Sequence, residues 1–160
     1  MDDRIKRTVL WRVTKYAPGV DPKRGKPFEI LEVDGNLGLN EGIAEMINLL
    51  VGAGTPTAYN NANARLGVGD STTAAAATQT DLQAATNKLY KAMDAPYPTV
   101  AAQTITFRST FASAEANYAW EEYTVDNGAT AAKNINRKVS SLGTKLSGSS
   151  WVLDLQITFS

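Results

Sequence analysis

The chain of 160 residues contains neither histidine nor cysteine. Their absence excludes Ser-His-Asp and Cys-His catalytic triads, zinc sites built from Cys and His, haem ligation by His, and thiol redox chemistry. It also removes the side chain best suited to proton transfer near neutral pH. We therefore expect a protein that is not an enzyme and that holds no cofactor and no metal.

The sequence also lacks a surplus of charge and long apolar runs. Basic and acidic residues number 16 each, whereas a duplex-DNA binder needs surplus positive charge, so we expect no nucleic-acid partner. No apolar run approaches the roughly 20 residues that span a bilayer. The N-terminus is charged, and Arg12 and Lys15 interrupt what would be the apolar part of a signal peptide. We expect no membrane partner and no ordinary secretion.

What the sequence does contain is a series of short strand patterns. The clearest covers residues 151–160, where large apolar residues alternate with mostly polar ones. Short strands separated by turn signals predict a mainly β fold, a β-sandwich or jelly-roll-like barrel with one packed α-helix. The other predicted strands cover residues 8–16, 28–33, 65–68, 88–93, 104–111, 118–125 and 134–140.

One helix is predicted near residues 40–52. Asn40 is a favourable N-cap residue, and Glu41 lies in the first turn, where the helix dipole favours an acid. A glycine at position 52 or 54 would end the helix. Apolar residues at helical spacing form a stripe that we expect to lie against a sheet; they are Ile43, Met46, Ile47, Leu50 and Val51.

The sequence divides into an extended N-terminal arm or hairpin, residues 1–34, and a β-rich body, residues 35–160. A basic loop in the first part contains Lys23, Arg24 and Lys26. An extended strand can add to the sheet edge of a neighbouring protein through backbone hydrogen bonds. We therefore expect the arm to contact a partner, with Trp11 and the three basic residues of the loop as its interaction residues.

Three further patterns could carry chemistry. Residues 67–70, Gly-Val-Gly-Asp, lack the third glycine of the dinucleotide fingerprint and the Gly-Lys-Ser/Thr of a P-loop, which favours a tight turn that needs glycine dihedrals. Glu121 and Glu122 lie beside aromatics, as in sugar sites, but adjacent strand residues point to opposite faces. Aspartates near turns could bind a cation through oxygen, although none has the spacing of a calcium loop and turn capping explains them; they are Asp70, Asp81, Asp94 and Asp126.

Several segments from Asn36 onward carry a resemblance to a known family. They read LNEG at 39–42, NNANARLGVGDS at 60–71, QTDLQ at 79–83, KAMD at 91–94, FRSTF at 107–111, ANYAWE at 116–121, NRKV at 136–139 and LGTK at 142–145. With these segments in this order, followed by the closing strand, the chain resembles a family of small virion proteins of tailed bacteriophages.

The resemblance implies a structural protein of the phage particle. The expected function is that of a capsid decoration (cement) protein, which binds the outer surface of the head and stabilises it. The alternative is a tail or tail-fibre protein that acts in assembly or host adsorption. The expected partners are the major capsid protein and neighbouring copies of the same chain, as a homo-oligomer on the particle. The expected location is the virion, assembled in the host cytoplasm.

Overall fold

Two antiparallel sheets of five strands each make up the protein, as seen in a computed structural model that describes residues 5–128 and 130–160. They pack face to face as a β-sandwich, which confirms the mainly β prediction. The strands are β1 (Arg7–Tyr16), β2 (Glu29–Asp34), β3 (Leu37–Gly38), β4 (Arg65–Gly69), β5 (Lys88–Ala92), β6 (Thr99–Ala101), β7 (Thr104–Phe111), β8 (Ala119–Asp126), β9 (Asn136–Thr144) and β10 (Ser150–Phe159), and the helix is α1 (Asn40–Val51).

The first sheet has the strand order β2-β1-β10-β7-β6, and the second has the order β3-β9-β8-β4-β5. All the strands predicted from alternation are present in the structure. The two strands that the sequence did not indicate, β3 and β6, are two and three residues long. Strands this short carry too few alternating positions to produce a pattern.

The described part of the predicted arm or hairpin lies in the sandwich, where β1 and β2 form a hairpin. Strand β1 lies inside the first sheet and pairs with β10 along its whole length, from Arg7 opposite Phe159 to Tyr16 opposite Ser150. Its other edge pairs with β2 as a hairpin. Strands β1 and β2 therefore form part of the first sheet, and residues 1–4 lie outside the described residues.

Large aromatic side chains fill the space between the two sheets. Trp11 meets Tyr123 edge to face, with ring centroids 4.8 Å apart. Trp120 meets Phe111 at 4.7 Å and Trp151 at 4.9 Å, again edge to face. Such contacts are favourable beyond the area that they bury, and they join strands of both sheets into one rigid core.

Helix α1 follows β3 and ends as predicted, at Gly52, which adopts a left-handed conformation with φ of 64°. The predicted N-cap is wrong by one residue. Leu39 occupies the cap position with extended backbone and makes no side-chain cap hydrogen bond, while Asn40 is already helical. The backbone N–H of Asn40 donates instead to the Ala77 carbonyl at 2.8 Å. Within the described residues, no helix has the length and hydropathy needed to span a bilayer.

Candidate functional site

Helix α1 packs on the sandwich through its charged side. Glu41 Oε1 accepts a hydrogen bond from the backbone N–H of Asn134 at 2.9 Å, and Glu45 Oε1 accepts one from the Asn127 side-chain amide at 3.0 Å. Gly42 is buried at this contact, where an added Cβ would lie 2.3 Å from the Asn134 carbonyl oxygen. Both acids of the helix are therefore turned toward the sandwich, and the glycine permits the close approach.

The apolar stripe of α1 consequently faces away from the sandwich, against expectation. Ile43 is 40% exposed, Ile47 55%, Leu50 85% and Val51 66%; of the predicted stripe, only Met46 packs against the core. The periodicity was sufficient to place the helix but not to orient it, because the hydrogen bonds of the two glutamates decide which side is buried. Large apolar side chains exposed next to one another, in contrast to scattered single ones, are typical of interaction sites.

No charged side chain interrupts the exposed surface of α1. The two acids of the helix, Glu41 and Glu45, are the only charged residues between positions 40 and 51, and both are at least partly buried. Beyond the helix, residues 52–54 are Gly-Ala-Gly and are also exposed. We refer to the exposed side chains of this surface as the apolar helix face; they are Ile43, Ala44, Ile47, Leu50 and Val51.

A second concave surface lies on the side of the first sheet that faces away from the core. It encloses about 760 Å³ between two loops, residues 21–23 and residues 94–97. Strands β1, β7 and β10 supply its floor. We call this surface the outer-sheet cleft; its floor residues are Thr14, Tyr16, Arg108, Thr110, Ser150 and Val152.

Most charged groups of the outer-sheet cleft are engaged within the protein. Arg108 donates two hydrogen bonds to Asp154, at 2.6 and 3.0 Å, and its guanidinium stacks on the Tyr97 ring at 4.6 Å. The hydrogen bonds to Asp154 raise the pKa of Arg108 above its ordinary value. Asp94 accepts hydrogen bonds from the hydroxyl and the backbone N–H of Thr110. These pairs give the cleft a fixed shape.

The structure separates the residues predicted to bind a partner. Trp11 is fully buried between the sheets, so it cannot contact another protein and the expectation for it is wrong. Lys23 lies on the wall of the outer-sheet cleft. Arg24 and Lys26 are exposed on the same loop, which is tightened by two backbone hydrogen bonds to the Asp21 carbonyl. The three basic residues remain available at the surface, and Trp11 belongs to the core.

Sequence reasoning missed a fully buried ion pair in the second sheet. Arg137 and Glu122 have no exposed side-chain surface, and their nearest atoms are 2.6 Å apart. Glu122 also accepts the backbone N–H of Ala84 at 2.7 Å, and Arg137 donates to the Thr73 carbonyl at 2.9 Å. The pair thereby holds residues 70–87, which we call the covering segment, over the outer side of this sheet.

The neighbouring acid, Glu121, has a different environment. It accepts a hydrogen bond from the Ser141 hydroxyl at 2.9 Å, whereas Glu122 lies under the covering segment. The two carboxylates do not converge on one point, in agreement with the alternation of a strand.

The glycines of residues 67–70 serve close packing. A Cβ on Gly67 would lie 2.6 Å from the Tyr90 ring, and one on Gly69 would lie 2.5 Å from Glu122. Both glycines lie in β4, and neither has a positive φ. The expectation of a turn that needs glycine dihedrals is therefore wrong at these positions; the glycines leave room for side chains on the adjacent strands.

A small polar cavity of about 240 Å³ lies beside the covering segment. Arg65 pairs with Asp126 at 2.6 Å, and the Tyr90 hydroxyl donates to Asp81 at 2.5 Å. Burial raises the pKa of Asp126, against the hydrogen bond from Arg65. Burial also acts to raise the pKa of Asp81, but hydrogen bonds from Lys88 and Tyr90 hold it below its ordinary value.

The four aspartates predicted to lie near turns each have a partner within the protein. Asp70 accepts a hydrogen bond from the Asn87 amide at 2.7 Å, and Asp81 pairs with Lys88 at 2.6 Å. Asp94 and Asp126 bond to Thr110 and Arg65, as described above. In the part of the chain that the structure describes, no three Asp or Glu side chains converge as metal ligands would.

Comparison with protein-family models, with curated proteins and with solved structures yields no match for this chain. The apolar helix face and the outer-sheet cleft are therefore interpreted from their own geometry and chemistry.

Proposed function

We propose that this protein is a non-enzymatic structural protein of a phage virion, a capsid decoration protein that binds the outer surface of the head and stabilises it. The observation that carries the proposal is the apolar helix face. Four large aliphatic side chains exposed side by side on a rigid sandwich are typical of a surface that becomes covered in an assembly. Such a face suits a protein that is built permanently into a particle.

An open sheet edge supports the same proposal. Strand β3 pairs with β9 only through Leu37 and Gly38, so the rest of that edge of β9, residues 138–144, has no neighbouring strand within the described residues. An extended segment of a neighbouring protein can add to such an edge through backbone hydrogen bonds. Strand addition would then run in the opposite direction from the one expected for the N-terminal arm. The neighbouring protein supplies the strand, and this protein accepts it at β9.

The expected partners are the major capsid protein and neighbouring copies of the chain. Individual contacts of modest size add up when many of them repeat over a shell. A decoration protein can therefore stabilise a head without any single contact being strong.

Copy number per particle tests this proposal. We would purify virions that carry the protein and quantify it by mass spectrometry against the major capsid protein. A ratio near one copy per capsid subunit, or per small group of subunits, is the expected result. Particles that lack the protein should then lose their genome at a lower temperature than complete ones. Absence of the protein from purified virions would refute the proposal.

The second candidate is a tail or tail-fibre protein that acts in host adsorption, and the outer-sheet cleft favours it. The cleft is preformed, and three residues that carry hydroxyls, Thr14, Tyr16 and Ser150, line its floor, a composition that suits an adaptable polar contact. Only a few copies per particle, with loss of adsorption when the protein is removed, would favour this candidate over decoration.

A further inference from the structure

We propose that the outer-sheet cleft is a binding site for an uncharged saccharide. The inference goes beyond the proposed decoration function, which rests on the apolar helix face and does not involve the cleft. It is carried by the hydroxyls of the floor, by the apolar side chains beside them, by the balance of charge, and by the strands that form the floor.

Tyr16 brings to the cleft a hydroxyl that the rest of the described chain does not use. The residue is 8% exposed and lines the floor, where it is paired with Ser150 of β10. Its hydroxyl makes no hydrogen bond within the described residues, and it is not enclosed in the core as the Tyr123 hydroxyl is. Because the ring is held by its surroundings, the hydroxyl is fixed in place as a donor and acceptor for a bound molecule.

Further hydrogen-bonding groups lie around this hydroxyl. Thr14 and Ser150 also line the floor, and neither side chain has a hydrogen-bond partner in the described part of the chain. Asp94 adds a carboxylate that accepts hydrogen bonds from the hydroxyl and the backbone N–H of Thr110. These are two of the roughly four hydrogen bonds that a carboxylate can accept. The hydroxyls of a sugar both donate and accept, so they suit this mixture of groups.

Apolar side chains lie beside the polar groups of the cleft. Tyr97 and Val152 belong to its lining, and the Arg108 guanidinium, 4.6 Å from the centroid of the Tyr97 ring, holds that ring in place. The face of an aromatic ring is negative, and it therefore attracts the weakly positive C–H groups of a sugar ring. A saccharide has hydroxyls at its edge and C–H groups on its faces, which matches both kinds of lining.

The charges in the cleft balance and disfavour a charged ligand. Two acids, Asp21 and Asp94, and two bases, Lys23 and Arg108, line it. Arg108 is already paired with Asp154 at 2.6 Å. A phosphate or sulfate group would therefore find no surplus of positive charge, which such groups need for tight binding. An uncharged ligand with many hydroxyls meets no such obstacle.

The floor of the cleft disfavours an extended peptide. Strands β1, β10 and β7 each have a neighbouring strand on both sides, so their backbone N–H and C=O groups are paired within the sheet. A peptide that adds to a sheet needs an open edge, and the floor has none. Its volume of about 760 Å³ lies within the range of about 300–1,000 Å³ that is typical of small-molecule sites, which suits a short oligosaccharide.

Nuclear magnetic resonance titration of the ¹⁵N-labelled full chain tests the site. The probes are maltotriose, cellotriose, chitotriose and mannotriose, with inorganic phosphate as the anionic comparison, each up to about 10 mM. We expect at least one trisaccharide to shift the amide signals of Thr14, Tyr16 and Ser150 saturably. The dissociation constant should be roughly 0.1–1 mM, because an open cleft with a few hydrogen bonds binds weakly. Phosphate should leave these signals unchanged.

Two variants separate binding from stability. Tyr16→Phe removes one hydroxyl that has no partner among the described residues, so it should leave the melting temperature unchanged and weaken saccharide binding about two- to tenfold. Tyr59→Phe is the matched control, because the Tyr59 hydroxyl donates to the Lys133 carbonyl at 2.8 Å and Tyr59 is not part of the cleft lining. It should lower the melting temperature and leave binding unchanged.

The outcomes are distinguishable from those of the virion experiment. The inference is overturned if none of the four trisaccharides shifts the signals of the floor, or if phosphate shifts them and the saccharides do not. Equal saccharide affinity of Tyr16→Phe and the unmodified chain would also overturn it. None of these results changes the copy number per virion, so the proposed function stands or falls by the mass-spectrometric ratio alone.

Discussion

Replacement of Arg137 with methionine tests whether charge holds the covering segment in place. The substitution keeps an unbranched side chain that fills part of the same space but removes the guanidinium with its hydrogen bonds to Gln79 and Thr73. Glu122 retains its hydrogen bonds from the backbone N–H groups of Gln83 and Ala84. It loses its only ion-pair partner within the described residues, so that a carboxylate with no exposed surface is left without a counter-charge.

The expected cost follows from this burial. Removal of one partner from a buried ion pair costs about 3–5 kcal/mol. For a chain of this size, each kcal/mol lowers the melting temperature by about 2–4 °C. We therefore expect the melting temperature of Arg137→Met to fall by roughly 6–20 °C. Arg12→Met is the control, because the Arg12–Glu32 pair has more than two fifths of each side chain exposed and should contribute only about 0–1 kcal/mol.

Two assays together test the reasoning. Urea unfolding gives the free energy of unfolding, and amide hydrogen exchange reports on the backbone N–H groups of Gln83 and Ala84. We expect both amides to exchange faster in Arg137→Met. In a double variant, Glu122→Gln should restore part of the stability because no charge then remains buried. A loss of under about 1 kcal/mol with unchanged exchange would show that packing of the segment, and not charge, holds it.

Three further predictions concern the helix, the core and alkaline pH. Gly42→Ala should lower the melting temperature, because the clash with the Asn134 carbonyl outweighs a gain in helix propensity of about 1 kcal/mol; an unchanged melting temperature would contradict the close contact. Trp11→Ala should lower the free energy of unfolding in urea by about 3–5 kcal/mol, whereas an exposed interaction residue would leave it unchanged. Burial raises the pKa of four tyrosine hydroxyls above the ordinary value of 10.0. In the folded protein these hydroxyls therefore keep a proton that the unfolded chain loses above pH 10.0. The free energy of unfolding should be unaffected by these groups below pH 10.0 and should fall as the pH rises above it. Tyrosinate absorbance should then appear together with loss of circular dichroism, and its appearance in the folded protein near pH 10 would contradict the burial of these groups; they are Tyr59, Tyr90, Tyr118 and Tyr123.

Local patterns in the sequence were enough to predict most elements of the fold. The alternation of residues 151–159 predicted β10, because one side of that strand faces the core and the other does not. The spacing of apolar residues likewise predicted the position of α1. These signals depend on neighbours along the chain, and so they can be read without knowledge of the tertiary structure.

The orientation of elements could not be predicted in the same way. The stripe of α1 was expected against a sheet, but the Asn127 and Asn134 groups that bind Glu45 and Glu41 lie more than 80 residues away in sequence. The covering segment contains few large apolar residues, and no predicted strand or helix falls within it. Its attachment depends on Arg137, which belongs to β9, and no local pattern indicates that pair.

The prediction that Trp11 contacts a partner protein was wrong for a related reason. The pairing of β1 with β2 is local in sequence and agrees with the hairpin alternative, but nothing nearby in sequence identified the partner of the other edge of β1. That partner is β10, at the opposite end of the described chain.

The position of β1 beside β10 has a consequence for how the protein folds. The hairpin of β1 and β2 can form early, but the other edge of β1 stays unpaired until β10 has been synthesised. The first sheet therefore cannot close until β10 is available, and the dominance of distant pairings predicts slow folding. In the interval, the apolar side of β1 and its open edge are exposed to other nascent chains. If exposure of β1 before β10 is available limits the yield of soluble protein, expression at lower temperature should increase that yield.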